Sequence, residues 1–253
     1  MVTPLALITG GQQGIGFGIA EALVGAGFQV VLAAHLDAEA PEVIAALGTL
    51  GDKARYIRHD LQEIDKVSSL LDRIEDQMGP VTTLVSNAGV PAKIRGDMLE
   101  LAPDSFDHVL GINLRGTFFL AQEVARRMVD RPSETYRSLI FVTSVSATMA
   151  SVERAEYCIS KAGAAMMAEL FAVRLAAHGI GTFELRPGII ATAMTAGVKD
   201  KYTARIEDGL VPARRWGEPE DIGRIVVPLA KGDLAFATGA VIPVDGGLSI
   251  PRL

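Results

Sequence analysis

The sequence holds a single cysteine, Cys158, among its 253 residues, and only four histidines. One cysteine allows no disulfide within the chain and no cysteine-based zinc cluster, and the histidines lack the spacing typical of metal ligands. We therefore expect no metal site. Because no histidine neighbours Cys158 in sequence, a packed free thiol is a better interpretation of this residue than a nucleophile.

Long hydrophobic runs, blocks of like charge and a basic N-terminal leader are also missing. No apolar run approaches the roughly 20 residues of a membrane span, and the N-terminus reaches glycine too soon for a signal peptide. A net charge of −6 makes nucleic acids and anionic membranes poor partners. These absences favour a cytoplasmic protein that acts on a small molecule.

The hydrophobic residues, 49% of the chain, are distributed in short segments and suffice for a large core. Continuously apolar segments alternate with helical patterns, which is typical of a parallel sheet covered by helices on both faces. Since no linker or repeat divides the chain, residues 1–253 are expected to form one doubly wound α/β domain with seven parallel strands. The predicted strands are 5–9, 29–33, 54–58, 83–86, 139–143, 181–186 and 241–244.

The helical patterns lie at 15–24, 39–50, 64–78, 103–130, 155–178 and 219–231. The segment 188–217 shows neither a helical pattern nor an apolar strand segment, and it is expected to be irregular. Loops of this length are usually functional lids or binding loops. We therefore expect residues 189–215 to form a substrate loop.

A glycine-rich turn joins the first predicted strand to the first predicted helix, and it reads Thr9-Gly10-Gly11-Gln12-Gln13-Gly14-Ile15-Gly16. Glycines allow the backbone to approach a pyrophosphate, which then binds the free N–H groups at the helix N-terminus. A glycine-rich turn alone could be a plain tight turn. Its position between a strand and a helix at the start of an α/β chain favours a nucleotide site.

Tyr157 and Lys161 are four residues apart in a helical pattern, so their side chains lie on one face of the helix. A phenol, whose reference pKa is about 10, becomes a usable acid or base when a nearby ammonium stabilises its charged form. For an isolated pair with this spacing, an ordinary surface contact is the more common explanation. Here Ser144 closes a predicted strand thirteen residues before Tyr157, which adds a third polar group.

Together these motifs resemble those of the short-chain dehydrogenase/reductase family, classical type, over essentially the whole chain. Within that family the sequence is similar to 3-oxoacyl-(acyl-carrier-protein) reductase-like members. The match includes four further motifs in family order, one of which has Ser in place of the family's first Asn. They are Ser86-Asn87-Ala88-Gly89, Asn113 within Gly111–Gly116, Arg186-Pro187-Gly188 with Thr192, and Val244-Asp245-Gly246-Gly247.

The resemblance implies a Rossmann-type fold and an NAD(P)-dependent oxidoreductase that interconverts a secondary alcohol and a ketone. Tyr157 would act as acid/base, and Lys161 would assist it while holding the nicotinamide ribose. Ser144 would orient the substrate oxygen. Asn113 would anchor a water that links Lys161 to solvent, although such an asparagine alone is more often a buried amide or a helix-bend residue.

The resemblance also implies which residues contact the cofactor. Asp60 would touch adenine, and a helix cap is an equally good interpretation of it. The full set is Gly10, Gln12, Gln13, Gly14, Ile15, Gly16, Ala34, His35, Asp60, Leu61, Asn87, Ala88, Gly89, Tyr157, Lys161, Pro187, Gly188, Ile190 and Thr192.

The choice of cofactor depends on the end of the second strand, where a carboxylate normally selects NAD. That position is Ala34 here, and His35, which can carry a positive charge, follows it. Without the carboxylate a 2′-phosphate meets no repulsion, so we expect NADP(H) to be preferred over NAD(H). Against this, Gln12 and Gln13 supply no charge, and Asp37 could approach the ribose.

Substrate determinants are expected in segments 90–97, 145–156 and 189–215. The candidates are Arg95, Ser144, Met149, Arg154 and Met194. Apart from Ser144, each is individually better explained as a solvated or packing residue. The substrate is expected to be a 3-oxoacyl compound or a sugar or polyol. An arginine cluster (Arg126, Arg127 and Arg131) could meet an acidic carrier protein, but a solvated helix end is the more common explanation.

Two other functions are alternatives for a chain with this fold. One is a non-catalytic regulator that senses nicotinamide nucleotides on the same fold, which would be free to lose Tyr157 or Lys161. The other is a methyltransferase-like protein, against which the glycine spacing and the Tyr/Lys pair argue. The resemblance also implies assembly as a homotetramer or homodimer through segments 103–130 and 155–178 and the last strand.

Overall fold

One parallel sheet organises the computed structural model, which describes residues 3–252 without the side chain of Lys201. Across these residues the sheet has seven strands, the number that the alternating pattern predicted, and their order is β3-β2-β1-β4-β5-β6-β7. The strands are β1 Leu5–Thr9, β2 Gln29–Ala34, β3 Ala54–Arg58, β4 Thr83–Ser86, β5 Arg137–Val142, β6 Ile180–Pro187 and β7 Val241–Val244.

Helices cover both faces of this sheet. Those connecting strands β1 to β5 are α1 Gly14–Gly25, α2 Pro41–Leu50, α3 Val67–Met78, α4 Pro103–Leu110 and α5 Thr117–Asp130. The later ones are α6 Ala155–Leu175, α7 Ala193–Ala196, α8 Lys199–Glu207 and α9 Pro219–Lys231. Among residues 3–252, none of these helices is long and apolar enough to span a membrane.

Alternation along the buried strands separates two apolar layers. In β5, Leu139 and Phe141 belong to the layer beneath α3, α5 and α6, whereas Ile140 and Val142 belong to the layer with α1 and α9. Burial of a large apolar side chain stabilises the fold by about 1.5–3 kcal/mol. The packing of α1 on α9 needs glycine, because a Cβ on Gly18 would lie 2.6 Å from the Pro219 Cβ. Both faces of the sheet are thus closed.

The segment 188–217 differs from its prediction as an irregular stretch, since it contains α7 and α8. A capping box stabilises the first turn of α7, where Thr192 and Thr195 bond each other's backbone N–H groups. Ile206 in α8 is 1% exposed. Two helices this short bury too little surface to produce a recognisable hydrophobic period, so the sequence did not reveal them.

The predicted helix 103–130 is continuous in space but not uniform. Residues Gly111–Gly116 form a π-helical segment between α4 and α5. Such segments widen the helix by one residue and are frequent at functional sites. Asn113 lies in the middle of it, so the local backbone determines where this amide points.

The strand order reverses between β1 and β4, which both neighbour the centre of the sheet. In open α/β sheets the crevice at such a point, at the carboxyl ends of the strands, is where ligands bind. Thr9 closes this end of β1, and its Oγ1 accepts the N–H groups of Asn87 and Ala88, each at 3.0 Å. The two loops that border the crevice are therefore tied to each other.

Candidate active site

A cleft of about 390 Å³ opens at the carboxyl ends of β1 to β5 and contains most of the predicted site residues. Those lining it are Gly10, Gln12, Gln13, Gly14, Ile15, Ala34, His35, Asp60, Leu61, Asn87, Ala88, Gly89, Tyr157, Lys161, Thr192 and Met194. Val90 and Ala193 also line it and belong to the segments expected to determine the substrate. The lining residues that the sequence did not reveal are Ala33, His59, Gln62, His108, Ile112, Val142 and Thr143.

The glycine-rich turn forms one wall of the cleft. Gly10 and Gly14 have φ angles of +66° and +53°, which favour glycine, and a Cβ on Gly16 would lie 2.2 Å from the Gly10 carbonyl oxygen. Gln13 precedes α1 in an extended conformation, and within residues 3–252 its side chain does not cap the helix. The turn therefore offers backbone N–H groups and a helix N-terminus, which suit the pyrophosphate of a dinucleotide.

Asn87 lines the cleft and also supports this turn from behind. Its Nδ2 donates to the Thr9 carbonyl at 2.9 Å and to the Gly10 carbonyl at 3.4 Å. The amide thus fixes the backbone at the start of the glycine-rich turn. A side chain without a donor at this position would free the turn from β4.

Lys161 and Tyr157 lie one turn apart on α6, as their spacing predicted. The Lys161 side chain is 7% exposed, its Nζ donates to the Val142 carbonyl at 3.1 Å, and Nζ lies 5.7 Å from the centre of the Tyr157 ring. An ammonium has three donors, so this bond leaves two of them for other partners. The cation is held by the end of β5 beside a half-buried phenol.

Asn113 is 4% exposed and bonds to the backbone of the loop that follows β4. Its Oδ1 accepts the Val90 N–H at 2.8 Å, and its Nδ2 donates to the Val90 carbonyl at 2.9 Å and to Ser160 Oγ at 3.1 Å. A Cβ on Gly89 would lie 3.1 Å from Asn113 Oδ1 and 3.6 Å from Lys161 Nζ. The amide and the ammonium thus converge on Gly89 from two different helices.

Ser144 follows β5 at the edge of the cleft and is 9% exposed. Its Oγ accepts the N–H of Ser146 at 3.0 Å and so caps the short 3₁₀ turn Val145–Ala147. Accepting that bond leaves the hydroxyl hydrogen available to a ligand.

Several predicted cofactor residues lie outside the lining of the cleft. Gly16 is packed behind the turn, and Ile190 is 4% exposed and bridges to Gly217. The Gly188 N–H donates to the Val244 carbonyl at 3.0 Å, so Pro187 and Gly188 lie against the end of β7. Pro187, Gly188 and Ile190 shortly precede Thr192 in the chain, and their backbone contacts fix the segment from which Thr192 reaches the cleft.

The predicted substrate residues form a looser group. Met194 is 54% exposed and lines the cleft, whereas Met149 is 40% exposed and Arg95 is also exposed. The Arg154 guanidinium lies 5.6 Å from the centre of the Tyr157 ring, and its Nη2 lies 3.4 Å from Ser146 Oγ. Of the four loop candidates, Arg154 thus lies beside Tyr157 and Met194 lines the cleft.

At the opposite end of the cleft, Ala34 is 7% exposed at the end of β2 and His35 is exposed. Arg58 Nε donates to the His35 carbonyl at 3.1 Å and lies 3.4 Å from Asp37 Oδ1. Asp60 lines the cleft and also accepts the Gln62 N–H at 2.9 Å. The Asp60 carboxylate thus closes a local turn. The helix-cap interpretation is wrong, because the helical turns that follow have Glu63 and Lys66 at their N-cap positions.

His59 is the most informative residue that the sequence did not reveal. It is 5% exposed in the lining of the cleft, and in the described structure its buried Nε2 has no hydrogen-bond partner. Burial lowers the pKa of His59 below its usual value, and the nearby carboxylates of Glu63 and Asp60 only partly oppose this. Its place at the end of β3, directly before Asp60, was the one available signal.

Cys158 is half-buried, with its Sγ 3.9 Å from the Ser151 carbonyl oxygen and 4.0 Å from that of Met149. This packing is that of a free thiol. Within residues 3–252, no group of three or more His, Cys, Asp or Glu side chains is placed to hold a metal ion.

Comparison with known proteins shows relatives along the whole chain. A family model described as enoyl-(acyl carrier protein) reductase matches residues 10–249. The 3-oxoacyl-(acyl-carrier-protein) reductase MabA of Mycobacterium tuberculosis is 33% identical, with 98% of this chain and 94% of that protein covered. The 2-dehydro-3-deoxy-D-gluconate 5-dehydrogenase of Escherichia coli is 31% identical, with 96% and 94% covered.

A solved structure is more similar still. The crystal structure of a 3-oxoacyl-(acyl-carrier protein) reductase from Brucella melitensis in complex with NAD is 45% identical, with a TM-score of 0.94 and 99% of each chain covered. The covered residues include the sheet and the helices described above. The chain therefore belongs to the short-chain dehydrogenase/reductase family and is an oxidoreductase that acts on CH–OH groups.

Proposed function

We propose that this protein interconverts a secondary alcohol and a ketone by hydride transfer with a nicotinamide nucleotide, with Tyr157 as the acid/base. One observation carries the proposal: Tyr157 and Lys161 line the same cleft as the glycine-rich turn. A phosphate-binding turn without the phenol would support binding alone. The two together support chemistry on a ligand that shares the cleft with the nucleotide.

Residues of the chain itself supply the proton and orient the substrate and the nucleotide. When bound, the nicotinamide supplies or accepts the hydride. In ketone reduction Tyr157 donates its hydroxyl proton to the substrate oxygen, and in alcohol oxidation its phenolate takes that proton. Lys161 stabilises the charge that develops on the phenol oxygen and holds the nicotinamide ribose with its remaining donors. Ser144 donates its free hydroxyl hydrogen to the substrate oxygen.

Asn113 completes this arrangement in the proposal. Its amide fixes the Val90 backbone, and Gly89 leaves a narrow gap between Asn113 Oδ1 and Lys161 Nζ. We assign to Asn113 the anchoring of a water that connects Lys161 to solvent. The remaining predicted cofactor residues keep the contacts assigned to them by the family resemblance.

For the nucleotide, we propose a preference for NADP(H) over NAD(H). Support comes from Ala34, which brings no carboxylate to the end of β2, and from two residues beside it that can be cationic, His35 and Arg58. Asp37 opposes this preference through its contact with Arg58. NAD is the nucleotide named for the Brucella protein, so kcat/KM measured with both nucleotides is the direct test. A clear preference for NAD(H) would overturn this part.

For the substrate, we propose a small carbonyl compound or alcohol, either a 3-oxoacyl compound or a sugar or polyol, bound partly by the loop 189–215. The arginine cluster gives no support to carrier docking. Arg127 Nη2 lies 2.7 Å from Asp72 Oδ1, Arg126 Nη2 lies 2.6 Å from Glu123 Oε2, and Arg131 Nη1 lies 2.7 Å from Glu75 Oε2. These arginines are paired with carboxylates of the same chain, which fits a solvated helix end.

We also propose that the chain acts as one domain in the cytoplasm and assembles as a homotetramer or homodimer. Support for assembly comes from two exposed apolar patches. The first, on α5 and α6, contains Phe119, Ile159, Met166, Leu170 and Val173, and the second, near β7, contains Leu234, Phe236, Val241 and Ile250. Light scattering of the purified protein tests the assembly, and a monomer at micromolar concentration would contradict it.

The reaction itself is tested by a substrate screen. Purified protein is mixed with each nucleotide and with ketones, sugars, polyols, acyl thioesters and steroids, and the absorbance of the reduced cofactor is followed. We expect turnover within one of these classes. Nucleotide binding without turnover across the panel would favour the nucleotide-sensing regulator instead.

A further inference from the structure

Strand β6 carries a buried carboxylate that the proposed reaction does not use. Glu184 is 1% exposed in the interior of the sheet, on the face opposite Phe183 and Leu185. Arg186, two residues further on the same face, pairs with it through two bonds. Its Nε lies 2.7 Å from Glu184 Oε1, and its Nη2 lies 3.0 Å from Oε2.

The same carboxylate accepts a third hydrogen bond, from the strand that leads to the active site. The Thr143 Oγ1 lies 2.5 Å from Glu184 Oε1, and the Thr143 N–H donates to the Leu185 carbonyl at 2.8 Å. Thr143 is 4% exposed and lines the cofactor cleft. A neutral donor on an ionised acceptor makes a shorter and stronger bond than a neutral pair does.

Thr143 lies between the two groups on which the proposed chemistry depends. The residue before it, Val142, supplies the carbonyl that holds Lys161 Nζ, and the residue after it is Ser144. A shift of Thr143 would therefore move the acceptor of Lys161 and the hydroxyl of Ser144 together.

We propose that Glu184, fixed by Arg186, is a positioning residue that sets the placement of Ser144 and Lys161 through the hydroxyl of Thr143. The inference rests on the proposed function, since it assigns Glu184 a part in the same reaction. A buried carboxylate with no partner would be strongly unfavourable, and Arg186 removes that penalty by bidentate pairing. The pair can thus remain ionised inside the sheet and hold Thr143 with a charge-assisted bond.

The test compares Thr143→Val with Thr143→Ser and with a control elsewhere in the sheet. Thr143→Val removes the hydroxyl at nearly constant volume, and Thr143→Ser keeps it. We expect Thr143→Val to lower kcat by about 10–100-fold, as misplacement by a fraction of an ångström to one ångström does. Thr143→Ser should restore kcat to within about threefold of wild type.

Thr83→Val is the matched control. Thr83 Oγ1 lies 3.2 Å from Ser138 Oγ, both residues are 0% exposed, and they lie toward the amino ends of β4 and β5, away from the cleft. This variant loses a buried hydroxyl contact in the same sheet, so its melting temperature should fall as well. Its kcat should not change. If the two valine variants lost stability alike and neither lost kcat, Glu184 would be structural only and the inference would be wrong.

A second variant covers the case in which loss of the hydroxyl impairs folding. In Glu184→Met/Arg186→Met both charges are replaced by apolar chains of similar length, an exchange that is often neutral for stability. The double variant should fold and should still have a lower kcat, because the Thr143 hydroxyl loses its charge-assisted bond and keeps only the Leu185 carbonyl, 3.2 Å away, as an acceptor. Wild-type kcat in the double variant would overturn the proposal.

Hydrogen exchange separates this inference from the proposed reaction. The variants without the Thr143–Glu184 bond should exchange faster at the amides of residues 143–146, whereas Thr83→Val should not. If the wild type turned over no substrate, the proposed function would fail. Unchanged exchange in Thr143→Val would overturn the positioning role whatever the reaction.

Discussion

The floor and the rim of the cleft are built differently. The floor comprises the buried residues at or directly behind the cleft lining, which are no more than 9% exposed: Ala34, His59 and Lys161 in the lining, and Asn113 and Ser144 outside it. Asn113, Ser144 and Lys161 each bond a backbone atom. The rim (Arg95, Met149 and Met194) is exposed, and Met149 and Met194 are 40% and 54% exposed. The floor is thus fixed by the sheet, whereas the rim is free to change.

This difference explains why the reaction is easier to infer than the substrate. Backbone-held polar groups at strand ends must occupy similar places wherever this sheet forms, so their motifs keep fixed spacings. Side chains on loops are constrained mainly by solvent and by the ligand. Substitutions on the floor should therefore change the chemistry, and those on the rim should change which substrate is accepted.

The largest effect is expected from Lys161→Met. The variant removes the ammonium beside Tyr157 while keeping most of the buried chain length. Loss of this charge should lower kcat by about 10²–10³-fold, the usual range for removal of one electrostatic stabiliser. Steady-state kinetics with the best substrate measure the effect, and a kcat near wild type would show that the floor does not carry the chemistry.

A smaller but specific effect is expected from Ala34→Asp. A carboxylate at the end of β2 can accept the ribose hydroxyls and repels a 2′-phosphate. The ratio of kcat/KM for NAD to that for NADP should rise by about 10–100-fold, corresponding to roughly 1.4–2.8 kcal/mol. Ala34→Asn serves as the uncharged control and should change the ratio less. An unchanged ratio in Ala34→Asp would place the nucleotide's ribose elsewhere.

His59 offers a test by pH. Burial lowers the pKa of His59 in the folded protein, so between the folded and unfolded pKa values the unfolded chain binds more protons. This residue therefore destabilises the fold progressively as the pH falls through about 6.5, the reference value of the unfolded side chain. His59→Gln should lose less stability than wild type between pH 7.5 and 5.5 in urea unfolding. Parallel pH curves would contradict a buried neutral histidine.

The smallest effects on chemistry are expected from the rim. Met149→Ala removes an exposed side chain that lies outside the cleft lining, so kcat with a small substrate should change by less than about threefold. The ranking of large and small substrates should change instead, as KM values in a substrate series would show. Arg95→Ala should behave in the same way. A large drop in kcat for every substrate would show that these residues contribute to the chemistry, as residues of the floor do, and would contradict this prediction.

The sequence predicted the regular parts of the fold best. Strands β1, β3, β4 and β7 have the predicted bounds, and each is a short segment followed by glycine or a polar residue. The π-helical segment around Asn113 was not predicted, because a one-residue widening leaves the hydrophobic period nearly unchanged. Helix α7 is stabilised by local capping and helix α8 by a single buried side chain, and neither feature produces a periodic hydrophobic pattern in the sequence.

The residues of the site likewise separate into those that a sequence motif predicted and those that no motif predicted. Tyr157, Lys161 and the glycine-rich turn are brought into one cleft, as their motifs predicted. His59 and the Thr143–Glu184 contact were missed, since none of His59, Thr143 and Glu184 belongs to a recognised motif, and the Thr143–Glu184 bond joins two strands. Contacts of that kind become visible only when the register of the sheet is known.

The most direct test of the account is turnover by Tyr157→Phe, measured together with nucleotide binding. The substitution removes one oxygen atom and keeps the ring between Arg154 and Lys161. The account predicts that the nucleotide still binds and that kcat falls by about 10²–10⁴-fold. Turnover equal to wild type for every accepted carbonyl compound would contradict the assignment of Tyr157 as the acid/base.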